Sequence, residues 1–294
     1  MKDKVEFRKV REFGEIIGDT FLFIKQNFKP LMKAFLYLCG FFILAGMVNA
    51  IALQLQLVNA TRDTSSFSIA SQYSSRYFSW SFLGIFVFMI LNYTAIYVTV
   101  LSYISIYIQK GNMAPSVEEV WSYFKYYFFR MLGSGMIMSI FLFICFICCF
   151  FPGVYVFPAV TLVYPILILE NASLGYSFTR SFKLLKDNWW ITFGILVIIW
   201  IITYCCTTFI QLPALIITMF NTFTNPSNPI TRAYAIISSI SNYVAQVFMV
   251  IPVICSAFCY FNLVEHKEST GLLDRIENFG NDNQNQHTTH QEEY

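Results

Sequence analysis

Charge is what this sequence has least of. Asp, Glu, Lys and Arg make up 12% of its 294 residues, about half the share of an ordinary soluble domain. Histidine is scarcer: His266, His287 and His290 all fall in the last thirty residues. No run of basic residues of the kind that tracks phosphates is present, and the formal charge is only +2, so no nucleic-acid partner is expected. The eight cysteines all sit inside apolar runs, none in a loop where an oxidising compartment would pair it. They read as small, soft packing residues. The spacing of Cys145, Cys148 and Cys149 leaves a thiolate metal site open, but zinc sites draw on loops and histidine. No cofactor and no metal is expected.

What is abundant is apolar surface. Apolar residues reach 56%, and the 32 Phe outnumber all Lys and Arg together. Six stretches are long enough to cross a bilayer, which takes about 20 residues with few charges. They cover roughly 34–58, 82–108, 131–151, 154–169, 191–220 and 233–264, with Phe151-Pro152-Gly153 as the turn between the third and fourth. Val48-Asn49-Ala50 faintly resembles a leader cleavage site. The polar segment before the first stretch is too long and too patterned for a leader, so this stretch is expected to stay as a span. Sixteen of the nineteen Lys and Arg flank one side; only Arg62, Arg76 and Arg232 flank the other. The bias places both termini and the even-numbered loops in the cytoplasm.

The segments on that side are patterned. Val10, Phe13, Ile17, Phe21, Ile24 and Phe28 recur at helical steps. Ser116 stands three residues before Glu119, a capping box opening a helix whose apolar face carries Trp121, Phe124 and Phe128. Leu174, Phe178, Phe182, Leu185 and Trp189 form a third such face, with Arg180, Lys183 and Lys186 on another. Helices of this kind lie in the interface, basic side toward anionic headgroups, or pack on the bundle's end. The expected fold is therefore all-α: a polytopic membrane bundle of six transmembrane helices plus three cytoplasmic-side interfacial amphipathic helices. Residues 1–30 form the first of these, 31–264 the six-span domain, and 265–294 a tail, largely disordered after 280. Lys25-Gln26-Asn27-Phe28 is similar to Lys186-Asp187-Asn188-Trp189, and a weaker third copy surrounds Lys125. The chain then reads as three related units, each an interfacial helix and two spans.

Glu170-Asn171-Ala172-Ser173-Leu174, Thr179-Arg180-Ser181-Phe182-Lys183-Leu184 and Asn188-Trp189-Trp190-Ile191-Thr192-Phe193-Gly194 carry a family resemblance. Over roughly 150–265 the chain resembles a superfamily of bacterial six-span proteins, best named from the membrane domain of some glycerophosphoryl diester phosphodiesterases. The opening Arg8-Lys9-Val10-Arg11-Glu12-Phe13-Gly14-Glu15 and the closing Phe261-Asn262-Leu263-Val264-Glu265 resemble a narrower bacterial group. Asp187 departs from the pattern, which has glycine there. The resemblance implies topology rather than chemistry, since the 294 residues hold no stretch for the catalytic barrel. Relatives tend to be encoded beside envelope proteins and an ATPase of the MoxR type, which implies protein partners in an envelope complex. Some chains of this look carry a carotenoid monooxygenase label, an activity that needs an iron held by several histidines; the spans contain none.

Between the first and last apolar residue of each span there is no Asp, Glu, Lys, Arg or His. Proton relays and intramembrane acid–base chemistry need such groups, so no catalytic residue is expected. Amides remain. Asn92, Asn242 and Gln246 lie about 13–20 Å deep at ~1.5 Å rise per residue. Thr99 and Ser102 continue the Asn92 face, and Ser239 that of Asn242 and Gln246. The cluster reads either as a polar cavity for a solute or headgroup, or as interhelical hydrogen bonding. Glu170 and Arg180, with Lys183 and Lys186, read as interfacial headgroup contacts, or Glu170 simply favours a helix N-terminus. The expectation for function is a non-enzymatic scaffold or accessory subunit of an envelope complex. A carrier for a small or lipid-like solute is the alternative, and a membrane enzyme the third reading.

Overall fold

The computed structural model describes residues 4–62, 80–148, 150–224 and 231–268. Asn225–Pro229, the loop around Ser66 and the tail with His287 and His290 lie outside the described residues. After a non-helical strap, residues 4–12, come α1 (Phe13–Arg62), α2 (Trp80–Gln109), α3 (Val117–Cys148), α4 (Phe150–Leu169), α5 (Leu174–Leu185), α6 (Trp189–Thr224), α7 (Arg232–Ala245), a 3-10 turn (Gln246–Met249) and α8 (Val250–Glu268). There is no strand among the described residues. Six helices are long and apolar enough to cross a membrane: α1, α2, α3, α4, α6 and the run from α7 through α8. Their outward faces are those of a multi-pass membrane protein. Phe151 is 80% exposed and Trp190 78%, a degree of apolar exposure that water-facing surfaces avoid.

The first two expected interfacial helices are not separate elements. α1 runs unbroken for 50 residues through Pro30, about 75 Å at ~1.5 Å per residue, far beyond the ~30 Å of hydrocarbon. Its amphipathic beginning is thus an extension of the first span. The same holds for α3, which starts at Val117 and continues to Cys148. Only α5 stands alone, bracketed by left-handed backbone at Asn171 (φ 48°) and Asp187 (φ 78°). The three units therefore do not share one geometry: two run straight through and the third breaks.

The expected Pro-Gly turn also moves. Phe151, Pro152 and Gly153 belong to the first turn of α4, where proline has no intrahelical bond to lose. A Cβ on Gly153 would overlap the Phe146 ring, so only glycine lets α3 and α4 approach here. Residue 149, between the two helices, lies outside the described residues.

The core is concentrated at one end. Ala95 to Tyr107 of α2 and Val250 to Val264 of α8 are almost entirely buried. The strap tucks Phe7 against them, its ring stacked on Phe258 at 4.4 Å and edge-on to Phe23 at 5.1 Å. Arg11 N–H donates to Asn262 Oδ1 at 2.7 Å, so the strap and the end of α8 share what we call the basal end. On α1 the buried stripe is Ile16, Thr20, Phe23, Asn27 and Leu31, while Val10, Phe13, Phe21 and Phe28 of the expected face are exposed. The polar members of the buried stripe are satisfied locally: Thr20 Oγ1 donates to Ile16 O, Asn27 Nδ2 to Phe23 O, and Tyr103 Oη to Asn27 Oδ1.

α5 doubles back along the α3–α4 hairpin. Phe178 meets Phe141 edge-on at 5.5 Å, and Trp189 Nε1 donates to Tyr155 O at 3.0 Å. The opposite end of α4 receives Tyr260 Oη on Glu170 at 2.8 Å. Trp189 opens α6 beside Asn188 and Thr192, which line a basal cavity with His266. Both ends of α4 thus touch basal elements, although about 22 Å of helix separates them.

Candidate functional site

Two polar constellations stand out, one inside the bundle and one at its basal end. Inside, Asn92 of α2 donates through Nδ2 to Gln246 Oε1. Asn92 is buried, as are Thr99 and Ser102 on the same stripe of α2. Thr99 Oγ1 lies 3.5 Å from Cys39 Sγ. Asn92 Oδ1 and Ser102 Oγ are buried without a partner. Asn242, expected in this cluster, is exposed on the outside of α7. Asn242 lies in the last turn of α7, and Gln246 opens the 3-10 segment that follows. Ser239 bonds within its own helix, to Ala235 O at 2.8 Å.

At the basal end Arg180 is the hub. Its Nη1 and Nη2 form a fork onto Glu268 Oε1 and Oε2 at 2.9 and 3.0 Å, and its Nε donates to Glu170 Oε1 at 2.6 Å. Bidentate pairing of this kind is strong and directional. The hydrogen bonds it donates to Glu268, then to Glu170, push the guanidinium pKa above its ordinary value against the effect of partial burial, so it stays charged at any working pH. The network joins α4, α5 and α8. Lys267 Nζ adds a bond to Lys183 O at 2.5 Å. Glu170 and Arg180 therefore do come together, but their charges are spent on each other and on Glu268. Lys183 and Lys186 have exposed side chains on the outer face of α5.

The strap builds a second buried cation site. Arg11 is 4% exposed, pairs with Asp19 through Nε at 2.7 Å, and donates to the carbonyls of Phe7 and Lys9. Its guanidinium lies 4.9 Å over the Phe258 ring. A cavity of about 550 Å³ opens beside it, lined among others by Lys9, Glu12, Asn188, Thr192 and His266. Sequence reasoning missed Phe7, Arg11, Tyr260 and Glu268. One signal was available: the opening and closing motifs of the narrower family resemblance meet here, Arg11 against Asn262.

The seven described cysteines are free thiols; Cys39, Cys255 and Cys259 are buried, and Cys149 lies outside the described residues. Among the described residues no three His, Cys, Asp or Glu side chains gather into a metal-holding group. No family model, curated protein or solved structure matches the chain.

Proposed function

We propose that the chain is a non-enzymatic integral protein of a bacterial inner membrane, with both termini cytoplasmic, acting as a scaffold or accessory subunit of an envelope complex. The observation that carries this reading is the filled bundle centre. Ala95 to Tyr107 of α2 pack against α8, and Asn92 and Gln246 are bonded directly to each other. Such an interior offers no continuous polar route for a solute. The basal end, by contrast, is tied together by the Arg180 and Arg11 networks, a platform suited to a protein partner. The lysine bias of the flanks supports the orientation, and the exposed Lys183 and Lys186 suit anionic headgroups. The resemblance to the phosphodiesterase membrane domain fits a partner-dependent role.

A carrier for a small or lipid-like solute is the second reading, favoured by the unpartnered Asn92 Oδ1 and Ser102 Oγ. Cysteines at Asn92 and Gln246, probed in intact membranes with a water-soluble maleimide, separate the two. The scaffold reading expects neither to react from either side until the protein is denatured. Modification of Asn92→Cys in the native membrane would overturn it and establish a water-filled path. Orientation is tested with a reporter after Tyr294 and a cysteine at Ser66: the reporter should be active in the cytoplasm and the cysteine accessible from outside.

A further inference from the structure

α2 and α3 do not close on each other along their whole length. Between them lies a cavity of about 510 Å³, floored by Met249 and walled by Tyr164 of α4 and Trp200 of α6. Tyr97 and Tyr164 face each other across its inner end at 5.0 Å between ring centroids. No charged residue lines it. Its mouth is flanked by Ile90, Met136 and Ile140, all exposed on outward faces of span-length helices, so the cavity is continuous with the surface that meets the bilayer. We infer that this cavity is a binding site for one acyl chain of a bilayer phospholipid.

Three considerations select that occupant. Protein interiors do not tolerate voids of this size left empty. Water needs two to four polar partners; the hydroxyls of Tyr93, Thr94, Tyr97, Ser139 and Tyr164 are outweighed by Met, Ile, Trp and the tyrosine rings, so most of the wall suits an apolar occupant. An apolar void of about 150 Å³ takes one benzene, so 510 Å³ has room for roughly eighteen carbons, the length of an ordinary fatty acyl chain. The methionines lend the wall the adaptability a flexible chain requires. The site goes beyond the scaffold reading and does not depend on it, because maleimide access at Asn92 and lipid retention in this cavity are read separately.

Glycines on α3 provide the test. A Cβ at Gly135, which lines the cavity, meets nothing within 4 Å, and the same holds for Gly133, which does not line it. Side chains can therefore be added at either place without collision. The full chain is extracted in mild detergent, washed repeatedly, and weighed by native mass spectrometry with extraction of the retained lipid. The parent and Gly133→Leu should each keep one glycerophospholipid per chain, Gly135→Ala should keep at least half of that, and Gly135→Leu should lose it at least tenfold. A lipid kept by Gly135→Leu, lost equally from both leucine variants, or replaced in the parent by detergent or an isoprenoid overturns the assignment.

Discussion

The same helices build two very different halves. Toward the basal end, α2 from Ala95 to Tyr107 is sealed, and α8 is buried along nearly its full length. Away from it, Leu83, Phe86, Val87 and Met89 of the same α2 are exposed, as are Phe143, Ile147, Phe209 and Phe223 on α3 and α6. The strap marks the difference. Lipid tails are as apolar as leucine, so helices in a bilayer associate through shape and hydrogen bonds. At the basal end the strap adds both: Phe7 stacks on Phe258, Phe23 meets Tyr107 edge-on, and Arg11 N–H donates to Asn262. The ion pairs of Arg11 with Asp19, Lys110 with Glu119, Arg180 with Glu170 and Glu268, and Lys267 with Asp187 involve the strap, the α2–α3 connection, α5 or the end of α8.

Substitutions test whether stability is really lodged in the basal half. Phe7→Ala empties the centre of the aromatic cluster and should destabilise by about 3–4 kcal/mol. Phe86→Ala, on an exposed face, should change the thermal midpoint in detergent little; equal losses would erase the distinction. Next comes Arg180→Ala, which leaves Glu170 and Glu268 facing each other at a partly buried site. A loss of about 2 kcal/mol is expected, lower than for a fully buried pair because the site is partly wet. Reversing both charges, Arg180→Glu with Glu268→Arg, should recover part of it. Inside the bilayer, Asn92→Ala and Gln246→Ala should each cost about 0.6 kcal/mol, and the double variant no more than either one. An additive pair would mean that the two amides do not share a bond. The smallest effect carries the opposite sign. Asp187 holds left-handed backbone at φ 78°, so Asp187→Gly should stabilise by about 0.5 kcal/mol. A lower midpoint would show that the contact with Lys267 at 3.8 Å outweighs the strain.

Sequence periodicity and length were enough to find the helices, since apolar runs of this length have no other stable form in lipid. Local chemistry was legible too. The capping box is realised reciprocally: Glu119 N–H donates to Ser116 Oγ at 3.3 Å, and Ser116 N–H to Glu119 Oε2 at 2.8 Å. What could not be read was choice among equals. α1 carries two stripes at helical spacing, and the one with the purer apolar content is the one left outside. Polar Thr20 and Asn27 lie inward because their own backbone and Tyr103 satisfy them, a fact only the tertiary contacts create. Asn242 failed for a similar reason: Ser241 and Tyr243 on either side of it are the buried positions of that turn, a choice only the tertiary packing makes. The placement of α4 and the return of α5 depend on Tyr155 meeting Trp189 and on Glu170 meeting Tyr260, contacts between segments with no sequence signature of pairing. The glycine expected at 187 by family resemblance, in contrast, has a direct structural reason in the backbone angle there.

The strap has a consequence for biosynthesis. Arg11 and Asn262 are 251 positions apart in the chain. At about 5–20 residues per second, the strap waits roughly 12–50 s after synthesis before the surface it docks on exists. Until then the Arg11 guanidinium has Asp19 and Phe7 has Phe23, but the Asn262 side-chain carbonyl and the Phe258 ring are missing. The strap's contacts with α8 therefore form late, after every other helix has been made.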